Sequence, residues 1–391
     1  MKEKIYNALY KINRSLKNDN SENISLMAGK CGLTLFDYLY FKYFEYNESS
    51  DKIDHCIQQL ADKSLIEMHP SLCTGKAGIN WFFTYLFYNE IIAKEDRDFL
   101  CDDDQQLEDS ASAMLKHGNY DFLHGATGIA YYLIYSKCYS REVFFNSFFD
   151  GLEVLVEKSS QKAIIPRFDL EAYSIIPNEV NLGLSHGIPS ILKLCLQCYR
   201  ENICCDRARS LAMIIVKYLK NHINIDISKC YFPDHLTENG NVDYVSRIGW
   251  CYGDLGLGYI IYQAGMAFND FEISTFALQI LTSTTKRRCF EETKVMDGGI
   301  CHGTAGIAHI YNRLWHNTNL PIFKEACDFW ILKTVQIIDN TEWDKGYQKY
   351  VNLSTGYRYE NGIIDGAAGI GLALISYIFN DFTWDYIFML N

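Results

Sequence analysis

The sequence predicts an all-α fold, an α/α toroid (barrel) of seven helical hairpins with an inner and an outer layer of helices. Three observations predict it. A Gly-x-x-Gly motif recurs along the 391 residues, each copy opens an apolar run, and one-sided amphipathic segments lie between the copies. Helical hairpins that bury their apolar faces only against neighbouring hairpins form stacked or closed arrays.

The motif occurs seven times, and successive first glycines are separated by 46, 50, 62, 66, 50 and 63 residues, which leaves room for two helices in each interval. The glycines are Gly29/Gly32, Gly75/Gly78, Gly125/Gly128, Gly187 (followed by Ser190), Gly253/Gly256, Gly303/Gly306 and Gly366/Gly369. Glycine has no Cβ, so it lets crowded helix ends approach one another. Because no linker interrupts the repeat, we expect residues 1–391 to form a single domain.

Two kinds of helix are predicted in each interval. The runs Ile129–Lys137, Ile307–Trp315 and Ile370–Phe379 are apolar on nearly all sides, which is typical of buried, inner helices. Phe144–Val156 and Arg207–Lys220 place their apolar residues on one side, as outer helices with one solvated face do.

Two stretches, residues 160–181 and 223–244, contain prolines and show no sustained helical period. They come directly before His186 and Arg247. We therefore expect loops that overhang the mouth of the site and contact its ligand.

Composition limits the function classes. The formal net charge of −12 argues against nucleic-acid binding and suits a basic partner. No run approaches the roughly 18 apolar residues of a membrane span. Fourteen cysteines without an apolar N-terminal signal segment predict free thiols and a cytoplasmic location. Cys195 and Cys198 form a Cys-x-x-Cys, but their apolar surroundings indicate core residues.

The residues just before each first glycine are expected on one rim of the ring. Polar side chains concentrate there, at Thr74, His124, His186, Tyr252, His302 and Asp365, with Cys73, Cys251 and Cys301 one position earlier.

Copies five and six, GWCYGDLG and GICHGTAG, are adjacent in sequence, so Cys251, Cys301 and His302 should lie close together. Two thiolates and one imidazole suit tetrahedral Zn²⁺ with a fourth position open to a ligand. The alternative is that small residues simply fill the helix turn. Cys73 should lie too far round the ring to share the ion.

These residues occur in strings that resemble the lanthionine synthetase C-like cyclases. The strings are LGLSHGIPSIL (182–192), SRIGWCYGDLGLG (246–258) and ICHGTAGIAHIY (300–311), in the order of that family. The resemblance implies a zinc-dependent enzyme that adds a cysteine thiol of a precursor peptide to dehydroalanine or dehydrobutyrine, which forms the thioether of (methyl)lanthionine. It implies Cys251, Cys301 and His302 as zinc ligands. The implied partners are the dehydrated precursor peptide, a dehydratase and an exporter.

The resemblance also implies four catalytic residues. His186 would act as general acid, since an imidazole titrates near neutral pH; the alternative is a core histidine bonded to a carbonyl group. Asp121 would assist or orient that histidine, or else cap a helix. Arg247 would stabilise the enolate or hold a carboxylate, and Tyr252 would donate to the oxyanion. His124 and Asp365 have no assigned role and would bind peptide or cap helices.

Two other functions stay open at this point. One is a zinc protein that binds glutathione or another thiol without cyclising a peptide. The other is a zinc-dependent thiol alkyltransferase, although that class usually has a carboxylate zinc ligand and a second subunit.

Overall fold

The computed structural model describes the chain except for residues 18, 45–49, 67, 138–140, 158–163, 225, 227–229, 238–241, 243 and 341–346. Most of the described residues are helical. The helices are α1 (Lys2–Leu16), α2 (Lys30–Phe44), α3 (Ser50–Ser64), α4 (Lys76–Tyr88), α5 (Lys94–Leu100), α6 (Asp104–Lys116), α7 (Ala126–Ser136), α8 (Glu142–Glu157), α9 (Ile188–Arg200), α10 (Cys205–Asn221), α11 (Asp254–Ala267), α12 (Phe271–Thr284), α13 (Phe290–Thr293), α14 (Thr304–Thr318), α15 (Pro321–Asp339) and α16 (Ala367–Phe379).

Each copy of the glycine motif opens a helix, as predicted. The seven motif helices are α2, α4, α7, α9, α11, α14 and α16, and each begins at the residue after the first glycine of its copy. They are buried on nearly all sides; in α4, for example, every residue from Lys76 to Leu86 is buried. The outer segments predicted around Phe144–Val156 and Arg207–Lys220 are α8 and α10. Helix α10 buries one face only, including Leu211 and Ile215.

The turn that precedes each motif helix explains the glycines. This turn folds back over the first turn of the helix, so that a Cβ at Gly128 would overlap the carbonyl oxygen of Phe122. Gly253 has in addition a φ of +92°, a backbone conformation that other residues rarely adopt. The glycines therefore let the preceding turn pack directly on the helix start, and this packing fixes the side chains that the turn carries.

The chain divides into two compact units. In the unit of residues 1–69, 73–100 and 288–391, α14 packs on α16, α16 on α2 and α2 on α4, while α15 covers α14 and α1 covers α16. In the unit of residues 70–72 and 101–287, α7 packs on α9 and α9 on α11, while α6, α10 and α12 cover them in the same order. That residues 1–391 behave as a single domain stays a prediction.

In the described part of the chain, six short strands add a small β component to the predicted all-α fold. They form three antiparallel pairs: β1 (Arg167–Asp169) with β2 (Ser174–Ile176), β3 (Glu179–Asn181) with β4 (His235–Thr237), and β5 (Gln348–Asn352) with β6 (Gly356–Tyr359). The two stretches predicted as loops contain the first four strands. Asn181 lies opposite His235 in the β3–β4 pair, so that these stretches meet beside the turn before α9.

Candidate active site and metal centre

Cys251, Cys301 and His302 lie together, as the sequence predicts. Their ligand atoms are all within 4.8 Å of one another. Each belongs to a turn that precedes a motif helix: Cys251 lies before α11, and the other two lie before α14. Cys251 is buried, whereas Cys301 and His302 are half-buried. Two sulfur atoms and one imidazole in one place are a donor set that Zn²⁺ favours. We call these three residues the Cys/His cluster.

Asp297 lies next to the imidazole of His302 in the Cys/His cluster. Its Oδ2 lies 3.8 Å from Nε2 of His302. The carboxylate is held by two backbone N–H groups, since Gly299 donates to Oδ1 at 3.1 Å and Tyr350 donates to Oδ2 at 3.0 Å. Burial raises the pKa of Asp297, although the neighbouring His302 acts in the opposite direction. A carboxylate in this position can fix the orientation of a metal-binding imidazole.

His186 and Asp121 form a hydrogen-bonded pair. Nδ1 of His186 lies 2.6 Å from Oδ2 of Asp121, and Oδ1 of the same carboxylate accepts from the backbone N–H of His124 at 2.7 Å. Asp121 is buried, and the side chain of His186 remains 30% exposed. Asp121 therefore contacts both the histidine and the turn before α7, but it does not cap α7, whose N-cap residue is Gly125. That Asp121 assists or orients His186 in catalysis stays a prediction.

The pKa of His186 is raised. Burial alone would lower this pKa, but the hydrogen bond and negative charge of Asp121, with a contribution from Cys251, outweigh the burial. Asp121 therefore favours the protonated form of the imidazole, and part of the ring stays accessible.

Tyr252 lies beside His186. The two ring centroids are 6.5 Å apart, and the ring of His235 is 5.9 Å from that of Tyr252 on another side. The hydroxyl group of Tyr252 accepts a hydrogen bond from Nδ2 of Asn181 at 3.0 Å. Burial raises the pKa of Tyr252 to about 12, so its hydroxyl group is protonated and able to donate.

Arg247 is near this site in sequence, but no described residue of the site forms a side-chain hydrogen bond or ion pair with it. It is half-buried, and its guanidinium forms no hydrogen bond or ion pair that involves the described residues. Its backbone lies against Gly253, at the start of α11.

The remaining rim residues have different surroundings. The His124 ring stacks 6.3 Å from that of His186, so it borders the candidate site. Lys349 of β5 donates to Asp365 at 2.5 Å. Cys73 is buried and does not belong to the Cys/His cluster. Cys195 and Cys198 are buried core residues, as predicted, and every cysteine of the described chain is a free thiol.

Sequence reasoning missed Asn181, His235 and Asp297. A signal for two of them was present, because Asn181 and Asp297 both lie six residues before a first glycine, as Asn119 does before Gly125. In each of these copies the side-chain oxygen accepts from the N–H two residues later, which is an Asx turn. His235 had no such signal, since only the β3–β4 pairing brings it to Tyr252.

The model of the family described as "Lanthionine synthetase C-like protein" matches residues 21–389. The chain belongs to the lanthionine synthetase C-like family. Among solved structures, nisin cyclase matches 100% of this chain and 97% of its own length with a TM-score of 0.76 at 18% identity. That match confirms the α/α toroid fold.

Two other solved structures align over similar lengths. A possible member of the GH105 family from Klebsiella pneumoniae matches at a TM-score of 0.48 and 8% identity, over 97% of this chain and 93% of its own. A GH76A alpha-1,6-mannanase from Salegentibacter matches at a TM-score of 0.44 and 10% identity, over 95% of this chain and 98% of its own. A search of curated proteins gave no match for this member of the lanthionine synthetase C-like family. Among its described helices, none has the length and apolar character needed to cross a membrane.

Proposed function

We propose that this protein is a zinc-dependent peptide cyclase that adds a cysteine thiolate of a dehydrated precursor peptide to dehydroalanine or dehydrobutyrine. The main observation in support of the proposal is that the ligand atoms of Cys251, Cys301 and His302 lie within 4.8 Å of one another. Family membership over residues 21–389 and the fold shared with nisin cyclase support the same reaction.

The Cys/His cluster would hold the zinc ion with two sulfur atoms and one nitrogen. Three protein ligands leave a fourth position of a tetrahedral ion for a substrate, which distinguishes catalytic from structural zinc sites. When bound, zinc lowers the pKa of a coordinated thiol and so supplies a thiolate nucleophile at neutral pH. Asp297, 3.8 Å from His302, would keep the imidazole oriented toward the ion.

His186 would supply the proton that completes the addition. Attack of sulfur on the β-carbon of the dehydro residue breaks the carbon–carbon π bond and leaves an enolate, whose α-carbon then takes up a proton. Asp121 raises the pKa of His186, which favours the protonated imidazole, and fixes the ring through Nδ1. The Nε2 atom is the one left to transfer the proton.

Tyr252 and Arg247 would stabilise the enolate oxygen. Tyr252 has a protonated hydroxyl group beside His186, and Arg247 has a guanidinium that is not engaged by the described residues. Hydrogen-bond donors that are in place before negative charge develops lower the barrier of such a step. The strands β3 and β4, which carry Asn181 and His235 to this site, would contact the peptide backbone on either side of the reacting residues.

A thiol-binding protein without cyclase activity is the second candidate, since the same cluster would bind glutathione. The polar group of Asp121, His186 and Tyr252 favours the cyclase, because thiol binding alone needs no oriented proton donor. A thiol alkyltransferase is less well supported, since the cluster contains no carboxylate ligand. Cytoplasmic location and association with a dehydratase and an exporter complete the proposal.

The test is cyclisation of a dehydrated peptide that contains one cysteine and one dehydroalanine. Mass does not change on cyclisation, so free thiol is scored by alkylation after incubation with zinc-loaded protein. The expected result is loss of alkylation with wild type and retention of alkylation with Cys301→Ala and His186→Ala. Glutathione binding by wild type without thioether formation would instead establish the thiol-binding function.

A further inference from the structure

Asn181 makes a hydrogen bond to Tyr252 whose direction is fixed by a third group. Asn181 is buried, and its Oδ1 accepts from the backbone N–H of Gly183 at 2.7 Å. A backbone N–H can only donate, so the atom it meets must be the amide oxygen. The other end of the amide is therefore the NH₂ group, which donates to the Tyr252 hydroxyl oxygen at 3.0 Å.

This direction determines where the phenol proton points. The Tyr252 oxygen accepts from Asn181, so its own proton cannot be directed at Asn181. Within the described part of the chain, the Tyr252 hydroxyl has no hydrogen-bond partner besides Asn181. The ring cannot turn away easily, because it packs on Gly183, where an added Cβ would lie 2.5 Å from Cε1 of the tyrosine. The O–H proton is thus left for a ligand.

We propose that Asn181 is a positioning residue that directs the Tyr252 hydroxyl proton toward the reacting carbonyl oxygen of the peptide, an inference that rests on the proposed cyclase function. A donor aimed at an oxygen that becomes negative stabilises the transition state. No bond of Tyr252 is broken in this role. An acceptor at residue 181 would attract the same proton and withdraw it from the peptide.

The turn formed by Asn181 is shared with other repeats, but among the described residues of these turns only Asn181 donates to a tyrosine hydroxyl group. Asn119 accepts from the N–H of Asp121 at 3.2 Å, and Asn23 accepts from the N–H of Ser25 at 2.9 Å, in the same way as Asn181 accepts from Gly183. The amide nitrogen of Asn23 faces the carbonyl oxygen of Ala28 instead of a tyrosine. Asn23 is therefore a matched control for the turn.

The test replaces the amide donor and keeps the turn. Asn181→Asp retains an oxygen for the Gly183 N–H and places a second oxygen, an acceptor, against Tyr252. We expect kcat for cyclisation of the dehydrated peptide to fall about 10²-fold, as it should in Tyr252→Phe, with KM and zinc content unchanged. Asn23→Asp should keep wild-type kcat.

The double variant Asn181→Asp/Tyr252→Phe separates positioning from a general effect of the new charge. If Asn181 acts through Tyr252, the double variant should resemble Tyr252→Phe alone. The proposal would be overturned if the loss of kcat in the double variant equalled the product of the losses in the two single variants. It would also be overturned if Asn181→Asp kept wild-type kcat.

A measurement without substrate keeps this inference separate from the cyclase function. The full chain is labelled with ζ-¹³C tyrosine, and the Tyr252 signal is assigned by its absence in Tyr252→Phe. Asn181→Asp should move that signal downfield, because the phenol now donates to a carboxylate, whereas Asn23→Asp should not move it. An unmoved signal would refute the role of Asn181, while wild-type protein that forms no thioether would refute the proposed function instead.

Discussion

Asp121 and His186 are joined by a hydrogen bond of 2.6 Å between a carboxylate oxygen and Nδ1, although 65 residues separate them in sequence. The turn before α7 carries the acid and the turn before α9 carries the histidine. Because α7 packs on α9, the repeat itself brings the two turns together. The pair leaves Nε2 of the imidazole as the atom that can meet a substrate.

Asp121→Asn should lower the pKa of His186. The carboxylate raises this pKa against the effect of burial, so that without its charge the burial should dominate and bring the pKa below its ordinary value of about 6.5. Asparagine still offers an oxygen to the N–H of His124, which preserves the turn. Imidazole NMR titration of metal-free protein, assigned with His186→Asn, measures the shift. An unchanged pKa would show that Asp121 does not control the charge of His186.

The same pair makes stability depend on pH in a defined direction. A group whose pKa is raised on folding stabilises the folded state below its unfolded pKa, here about 6.5, and loses that contribution as pH rises through the folded pKa. The difference in unfolding free energy between wild type and Asp121→Asn should thus be larger at pH 5.5 than at pH 8.5. Urea unfolding of metal-free protein at both pH values measures it, and an equal difference at both would contradict the ion pair.

Zinc binding should depend on Asp297 as well as on the Cys/His cluster. Cys251→Ala and Cys301→Ala should each lose the metal, whereas Asp297→Asn should retain the site with roughly 10–100-fold lower zinc affinity, because the imidazole of His302 is less well oriented. Competition with a chromophoric chelator measures the affinity. Glu360→Gln is the control, since Glu360 occupies the same position before Gly366 and accepts from the Gly362 N–H. Full zinc stoichiometry in Cys301→Ala would refute the ligand assignment.

The repeat made much of this arrangement predictable. Each motif glycine marks the start of a buried helix, and the residues before it carry the side chains that meet, so the repeat predicts that Cys251, Cys301 and His302 lie close together. The sequence could not predict contacts between side chains that do not occupy equivalent positions in the repeat. His235 reaches Tyr252 only through the pairing of β3 with β4, whose short strands lie in stretches without a helical pattern. Likewise, buried Asp385 near the C-terminus pairs with His309 of α14 at 2.8 Å, a contact that no local pattern indicates.

Alanine at a motif glycine that packs on a backbone carbonyl group should destabilise the protein more than alanine at a helix glycine that packs on side chains. In Gly128→Ala the new Cβ would overlap the carbonyl oxygen of Phe122, so the turn before α7 must move. We expect a loss of ~1–3 kcal/mol in the free energy of unfolding, the range for overpacking a tight site. The same movement displaces Asp121 and His124, which belong to that turn. The cyclisation rate of zinc-loaded Gly128→Ala should therefore be lower than that of zinc-loaded wild type.

Gly258→Ala is the matched control for this prediction. Gly258 lies within α11, and its added Cβ would approach side-chain atoms of Leu281 at 3.2 Å, which can shift, instead of a backbone carbonyl. Alanine also favours a helix by up to about 1 kcal/mol relative to glycine, which offsets the closer packing. Chemical denaturation of both variants should place Gly258→Ala near wild type and Gly128→Ala well below it. Equal stability of the two variants would mean that the turn before α7 can move at little cost in free energy. Close packing of backbone on backbone would then not explain the motif glycines.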